Sequence, residues 1–101
     1  MIPPRDHITE LQSWFVAQTD GDWEHDHGIT IETLDNPGWS LRIELADTDL
    51  ADRPLDRHEL HRTQTDWLVV WRDPTTFQAA CGPLNLAETI SRFLDWADHS
   101  A

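Results

Sequence analysis

Residues 29–45 are ITIETLDNPGWSLRIEL, and this stretch predicts a β-hairpin. Ile29–Leu34 alternates apolar and polar residues in its first half, which indicates a strand. Asp35-Asn-Pro-Gly38 has Pro and Gly at successive central positions and is expected to form the turn. The second strand is expected to bury one face only, because polar residues separate Trp39, Leu41, Ile43 and Leu45.

One helix is predicted before this hairpin and another near the end of the chain. The first runs from His7 to about Gln18, because Asp6 can cap it and apolar residues recur at helical spacing: Ile8, Leu11, Trp14 and Phe15. The second follows a capping-box-like pair, Asn85 and Glu88, and runs to about Asp98. Both apolar stripes need a surface to bury them.

Three more strands are predicted between the hairpin and the last helix. Trp67–Trp71 and Thr76–Cys81 are apolar enough to be strands, and Leu55–Thr63 is a weaker, polar candidate. Ala46–Pro54 is expected to be a loop. The predicted fold class is α+β: an antiparallel meander of about five strands with an N-terminal and a C-terminal helix packed on one face.

Length and composition predict a single globular domain over residues 1–101, because 39% of the residues are hydrophobic and six are Trp. Cys81 is the only cysteine, so an intrachain disulfide is impossible. The first residues, Met-Ile-Pro-Pro-Arg-Asp, lack the apolar core of an export signal, and no apolar run approaches the ~20 residues of a membrane span. We therefore expect a cytoplasmic location.

The net charge of −12 comes from 19 acids against seven bases, all of them Arg. Such a field attracts basic partners and repels nucleic acid and anionic membrane, so neither of the last two is expected as a partner. The same composition is typical of a salt-adapted or GC-rich source, and this alternative stays open at this point.

Two segments concentrate the acidic residues. Asp20-Gly-Asp-Trp-Glu-His-Asp-His27 holds four carboxylates without Lys or Arg, and is predicted to be a loop or the distorted start of a strand. Residues 44–56 carry five acids against Arg53 alone. Acidic charge beside aromatic area indicates a protein-binding surface. The candidate partner-binding residues are Asp20, Asp22, Trp23, Glu24, His25, Asp26, Asp35, Trp39, Asp47, Asp49 and Asp52.

The tryptophans divide into two groups. Helical or strand positions favour core packing for most of them: Trp14, Trp39, Trp67, Trp71 and Trp96. Trp23 lies between Asp22 and Glu24 without periodic apolar neighbours, so it is either an exposed anchor or a side chain that folds back onto the core. A Trp exposed on the open face of the sheet would mark an interaction surface.

Catalysis and cofactor binding are weaker alternatives. Asp22, Glu24, His25 and His27 offer zinc or manganese ligands, for a metal-binding protein or a metal-dependent hydrolase, but His25 and Ile31 break the calcium-loop pattern. Cys81 is a nucleophile only with a nearby base, and a buried structural thiol is the usual role of a free cysteine. Asp22 and Glu24 could serve as acid and base in sugar hydrolysis only in an environment that separates their pKa values. We therefore expect no enzyme and no cofactor.

Six blocks of the chain form a pattern that covers almost its whole length: Asp20-Gly-Asp-Trp-Glu-His25, Gly28-Ile29, Thr33-Leu-Asp-Asn-Pro-Gly-Trp39, Asp66-Trp67, Gly82-Pro-Leu-Asn-Leu86 and Phe93-Leu-Asp-Trp96. In order and spacing, these blocks resemble the immunity protein 53 family of bacterial polymorphic toxin systems. The resemblance implies a small cytoplasmic protein that binds and neutralises a cognate toxin domain and has no catalytic residues. With the charge of the chain, it leads us to expect a toxin with a basic site that the acidic loops cover. The oligomeric state is left open.

Overall fold

A computed structural model of the chain describes residues 6–98. The elements are α1 (His7–Gln18), α2 (Trp23–Asp26), β1 (Ile29–Leu34), β2 (Gly38–Glu44), β3 (His58–His61), β4 (Trp67–Arg72), β5 (Thr76–Cys81) and α3 (Leu86–Asp98). Residues 1–5, which hold most of the stretch predicted to lack an export signal, and residues 99–101 lie outside the described residues, so both ends of the predicted domain do too. Within them, no helix is long and apolar enough to cross a membrane.

The strands form one antiparallel sheet in the order β1-β2-β5-β4-β3, which confirms the α+β class. The predicted hairpin is present, with Ile29 opposite Ile43 and Leu34 opposite Gly38. The order differs from a simple meander, because β2 pairs with β5 and not with β3. The chain must therefore cross from β2 to the far edge of the sheet, past the ends of β5 and β4, through residues 45–57.

Helices α1 and α3 cover one face of the sheet, as predicted. Asp6 caps α1 by accepting a hydrogen bond of 3.0 Å from the backbone N–H of Thr9. Phe93 of α3 is fully buried, with its ring centroid 5.0 Å from that of Phe77 and 5.1 Å from that of Trp14. These contacts join both helices to β5. The apolar stripe of α1 is narrower than predicted, since Ile8 is 54% exposed.

The opposite face of the sheet carries two tryptophans that were expected in the core. Trp67 and Trp71 are half-buried, whereas the alternate residues Leu68 and Val70 belong to the core cluster. The Arg57 guanidinium lies over the Trp71 ring, 5.2 Å from its centroid. Core packing was therefore the wrong interpretation for these two side chains.

Candidate functional site

The first acidic segment folds by using two of its own carboxylates. Asp20 accepts hydrogen bonds of 2.9 Å from the backbone N–H groups of Asp22 and Trp23. Glu24 accepts from the N–H groups of Asp20 and Gly21. The Trp23 N–H, then that of Asp22, lowers the pKa of Asp20, and the N–H groups of Glu24 itself and of Asp20 lower the pKa of Glu24. The segment is thus a turn leading into the one-turn helix α2, and not a distorted strand.

Trp23 is buried, with 4% of its surface exposed. Its ring meets the rings of Trp14 and Phe15 edge-on, with centroids 6.2 and 6.0 Å away. Its indole N–H donates to the backbone carbonyl of Ala46 at 2.8 Å. The exposed-anchor interpretation is therefore wrong, and Trp23 instead locks the first acidic segment onto the core and onto the start of the second.

His27 makes a second connection between the acidic segments. Its Nδ1 lies 3.5 Å from Oε1 of Glu44, and its Nε2 lies 3.9 Å from Oδ2 of Asp47. Glu44 also accepts a hydrogen bond of 2.7 Å from the N–H of Gly28. Residues 20–28 and the beginning of the 45–57 crossing therefore lie side by side at one end of the sheet.

Arg72, at the end of β4, holds the middle of the crossing. Its guanidinium donates to the carbonyls of Leu50, Ala51 and Arg53 at distances of 3.0, 2.7 and 2.6 Å. The planar guanidinium suits such a set of acceptors because its five donors diverge in fixed directions. The cation is thus bound to backbone oxygens and leaves the nearby carboxylates unpaired.

The end of the crossing is attached to α3. Arg53 donates to the carbonyls of Trp96 and Ala97 at 2.7 and 3.2 Å. These carbonyls lie in the last turn of the described helix, at the negative end of the helix dipole. In return, the indole N–H of Trp96 donates to the carbonyl of Pro54 at 3.0 Å. The crossing is therefore fixed at its start, middle and end.

Eight carboxylates of the two segments are exposed, and we call five of them the acidic patch: Asp22, Asp26, Asp47, Asp49 and Asp52. Across residues 6–98, the only contact of this group with a cationic or titratable base is the one between Asp47 and His27. The Asp47 side chain is nevertheless 87% exposed. His25 is exposed beside them. The fold thus brings together two acidic segments that are separate in sequence, and presents their charge to solvent.

Two of the predicted site residues lie elsewhere. Asp35 is in the turn at the other end of the hairpin, about 20 Å along β1 from the acidic segments at ~3.3 Å per residue. Trp39 pairs with Cys81 in the sheet and donates its indole N–H to the carbonyl of Pro83 at 3.0 Å. Trp39 therefore contributes to packing at the end of the sheet that lies away from the acidic patch.

The structure does not assemble the predicted metal ligands. Glu24 is turned back onto the backbone of its own segment, whereas His27 points to Glu44 and Asp47 from opposite ring nitrogens. No group of three or more His, Cys, Asp or Glu side chains in the described part of the chain is placed to hold a metal ion. The geometry of the described residues therefore gives no support to the metal-site alternative.

The remaining chemical alternatives lack the required environment. Cys81 is 1% exposed, and burial raises the pKa of its thiol. A buried thiol with a raised pKa is a poor nucleophile. The pKa of Glu24 is lowered, so Glu24 lacks the raised pKa that a general acid needs.

Sequence analysis missed the residues that hold the patch together, which are Arg53, Arg72 and Trp96. Arg72 left a signal in the sequence. It continues the inward-facing alternation of Leu68 and Val70, and a charged side chain at such a position must find polar partners at the rim of the core.

One comparison with known proteins covers both acidic segments and the whole sheet. No characterised protein and no solved structure gives a significant match to the chain. The model of the immunity protein 53 family matches residues 8–98, a range that includes both acidic segments and every strand of the sheet. The chain belongs to the immunity protein 53 family.

Proposed function

We propose that this protein protects the cell that makes it by binding a cognate toxin domain through the acidic patch, and that it catalyses no reaction. Family membership supports an immunity function and a toxin partner. One observation carries the choice of surface: the nearby Arg72 guanidinium binds carbonyl oxygens, and within residues 6–98 no patch carboxylate forms an ion pair with an arginine. In this proposal the chain is a single domain that acts in the cytoplasm.

The toxin surface that fits such a patch is basic. Carboxylates on a fixed scaffold attract a positive surface and accelerate association, and they lose little conformational entropy on binding. A toxin that acts on nucleic acid needs a basic groove for its substrate, and a protein with a net charge of −12 would occlude that groove. We therefore propose active-site occlusion of a basic toxin.

The test uses the cognate toxin domain, which we expect to be encoded immediately upstream of this chain, and one pair of matched variants. Asp49→Lys reverses a patch charge, and Asp35→Lys makes the same change at the opposite end of the sheet. The association rate should fall about tenfold for Asp49→Lys with a flatter salt dependence, and about twofold or less for Asp35→Lys. Stopped-flow kinetics at low and high salt would measure both.

Two failures have different meanings. If the wild-type chain neither binds this toxin domain nor protects cells that express it, the immunity proposal is wrong for this pair. If the complex forms but both variants associate at the same rate, immunity stands and the acidic patch is not the binding surface.

A further inference from the structure

Within the described part of the chain, strand β1 forms one edge of the sheet and pairs only with β2. The N–H of Glu44 donates to the carbonyl of Gly28, and hydrogen-bonded pairs alternate along an antiparallel ladder. The backbone groups of Thr30 and Glu32 therefore face β2, whereas those of Ile29, Ile31 and Thr33 point away from the sheet. None of these three has a backbone hydrogen-bond partner elsewhere in residues 6–98.

An apolar groove runs beside this edge, between α1 and β1. Its volume is about 340 Å³, and its lining consists of Ile8, Leu11, Gln12, Phe15, Ile29 and Ile31. Ile8 and Ile31 are 54% and 38% exposed, which is unusual for side chains of this size. The edge and the groove together present unpaired backbone groups next to uncovered apolar surface.

This combination suits an added strand. A strand that pairs with β1 gains main-chain hydrogen bonds at Ile29, Ile31 and Thr33, and places every second side chain over the groove. The first acidic segment lies at one end of this edge, since Asp26 precedes Ile29 by three residues. The end of the added strand beside Ile29 therefore favours Lys or Arg. A second copy of this chain is a poor occupant, because each copy carries a net charge of −12.

We propose that an extended segment of the toxin, apolar at alternate positions and basic at the end beside Ile29, adds to β1 as a further strand. This inference rests on the proposed immunity function and gives it a second contact. The acidic patch attracts the toxin, and the β1 edge with its groove holds the segment by backbone pairing and apolar burial.

Amide hydrogen exchange of the full chain, free and bound to the upstream-encoded toxin domain, tests the inference. The amides of Ile29, Ile31 and Thr33 should exchange at least about tenfold more slowly in the complex. Unchanged exchange in a complex that does form would overturn this inference and leave the immunity function standing. Failure to form a complex would instead count against the proposed function. Protection that is already present in the free chain, whether or not it depends on concentration, would mean that another occupant covers the edge.

Thr33 offers a variant that changes only the edge. Thr33→Pro removes an N–H that points away from β2, and proline is tolerated at such positions of edge strands. The affinity should fall about tenfold for Thr33→Pro, whereas Thr33→Val keeps the N–H and should stay within about twofold. Retained protection of the Thr30 and Glu32 amides would show that the hairpin is intact. Equal affinities of the two variants would contradict strand addition.

Two alanine substitutions on α1, one inside the groove and one outside it, test whether the toxin contacts the groove. Ile8→Ala removes apolar surface that lines the groove, and Val16→Ala removes apolar surface of the same helix outside it, where Val16 is 63% exposed. We expect only Ile8→Ala to weaken toxin binding, by about threefold or more. An equal effect of the two changes would show that the toxin does not contact the groove.

Discussion

The arginines at the two ends of the sheet donate to different acceptors. At the end with the acidic patch, Arg72 and Arg53 bind backbone carbonyls. At the other end, Arg62 bonds to the carboxylates of Asp66 and Glu88. The Arg62 guanidinium is the main cause of the lowered pKa of both carboxyl groups.

The difference shows how a fold places charge. Arg62 pairs with two carboxylates, whereas within residues 6–98 Arg72 forms no ion pair with the patch carboxylates. At the patch, the strand order requires a long crossing, and its carbonyls take the guanidinium donors. Among the described residues, the patch carboxylates therefore carry their charge without a guanidinium partner.

The largest effect is expected from removing the cation that holds the crossing. Arg72→Met leaves carbonyls of residues 50–53 without their donor and should lower the free energy of unfolding by about 3 kcal/mol. Arg62→Met, at the exposed ion pair, should cost much less, because such pairs contribute little. Urea unfolding of both variants measures the difference. Equal losses would show that the two arginines do not differ in structural role.

A smaller effect should distinguish two tryptophans whose indole N–H groups each donate a hydrogen bond to a backbone carbonyl. Trp23→Phe and Trp39→Phe each remove one N–H bond to a carbonyl, of Ala46 and Pro83, and each should cost about 1–2 kcal/mol. Only Trp23→Phe should also speed amide exchange across residues 46–50 and weaken toxin binding. If both changes weaken binding equally, the two acidic segments do not act as one surface.

The smallest expected effect is a salt-dependent change in the pKa of two carboxyl groups, one at each end of the sheet. Backbone N–H groups lower the pKa of Asp20, whereas the charged Arg62 lowers that of Asp66. Both folded values lie below the unfolded ones, so their stabilisation is present above the unfolded pKa and is lost as the pH falls through the folded pKa. Raising salt from about 0.01 to about 1 M should move the pKa of Asp66 upward more than that of Asp20. Carboxyl NMR titrations would show this, and equal shifts would contradict the assigned causes.

Local patterns predicted the local parts of this fold. The alternation in residues 29–45 gave the hairpin, and Thr76–Cys81 forms the strand that its apolar content indicated. The partner of β2 was not predictable, because a turn sequence specifies only the pairing of the strands that it joins. The strand order, and with it the position of the crossing, depends on contacts between distant residues.

The candidate site was predicted only in part, because its assembly also depends on contacts between residues that are distant in sequence. The acidic composition of both segments is visible in the sequence, but their meeting depends on Trp23 reaching Ala46. The burial of Trp23 was not apparent because its neighbours in sequence are acids and its neighbours in space, Trp14 and Phe15, are on α1. The self-bonding of Asp20 was detectable, since Asp before Gly favours a turn closed by its own side chain.

The central claim is that the acidic patch touches a basic surface of the toxin. Its most direct test is a charge-swap cycle, in which Asp49→Lys is combined with Lys→Glu or Arg→Glu changes on the upstream-encoded toxin domain, and each pairing is measured by its affinity. We predict at least one basic toxin residue whose reversal restores binding to Asp49→Lys by about tenfold while weakening binding to the wild-type chain. Additive effects for every basic residue on the toxin surface would contradict the claim.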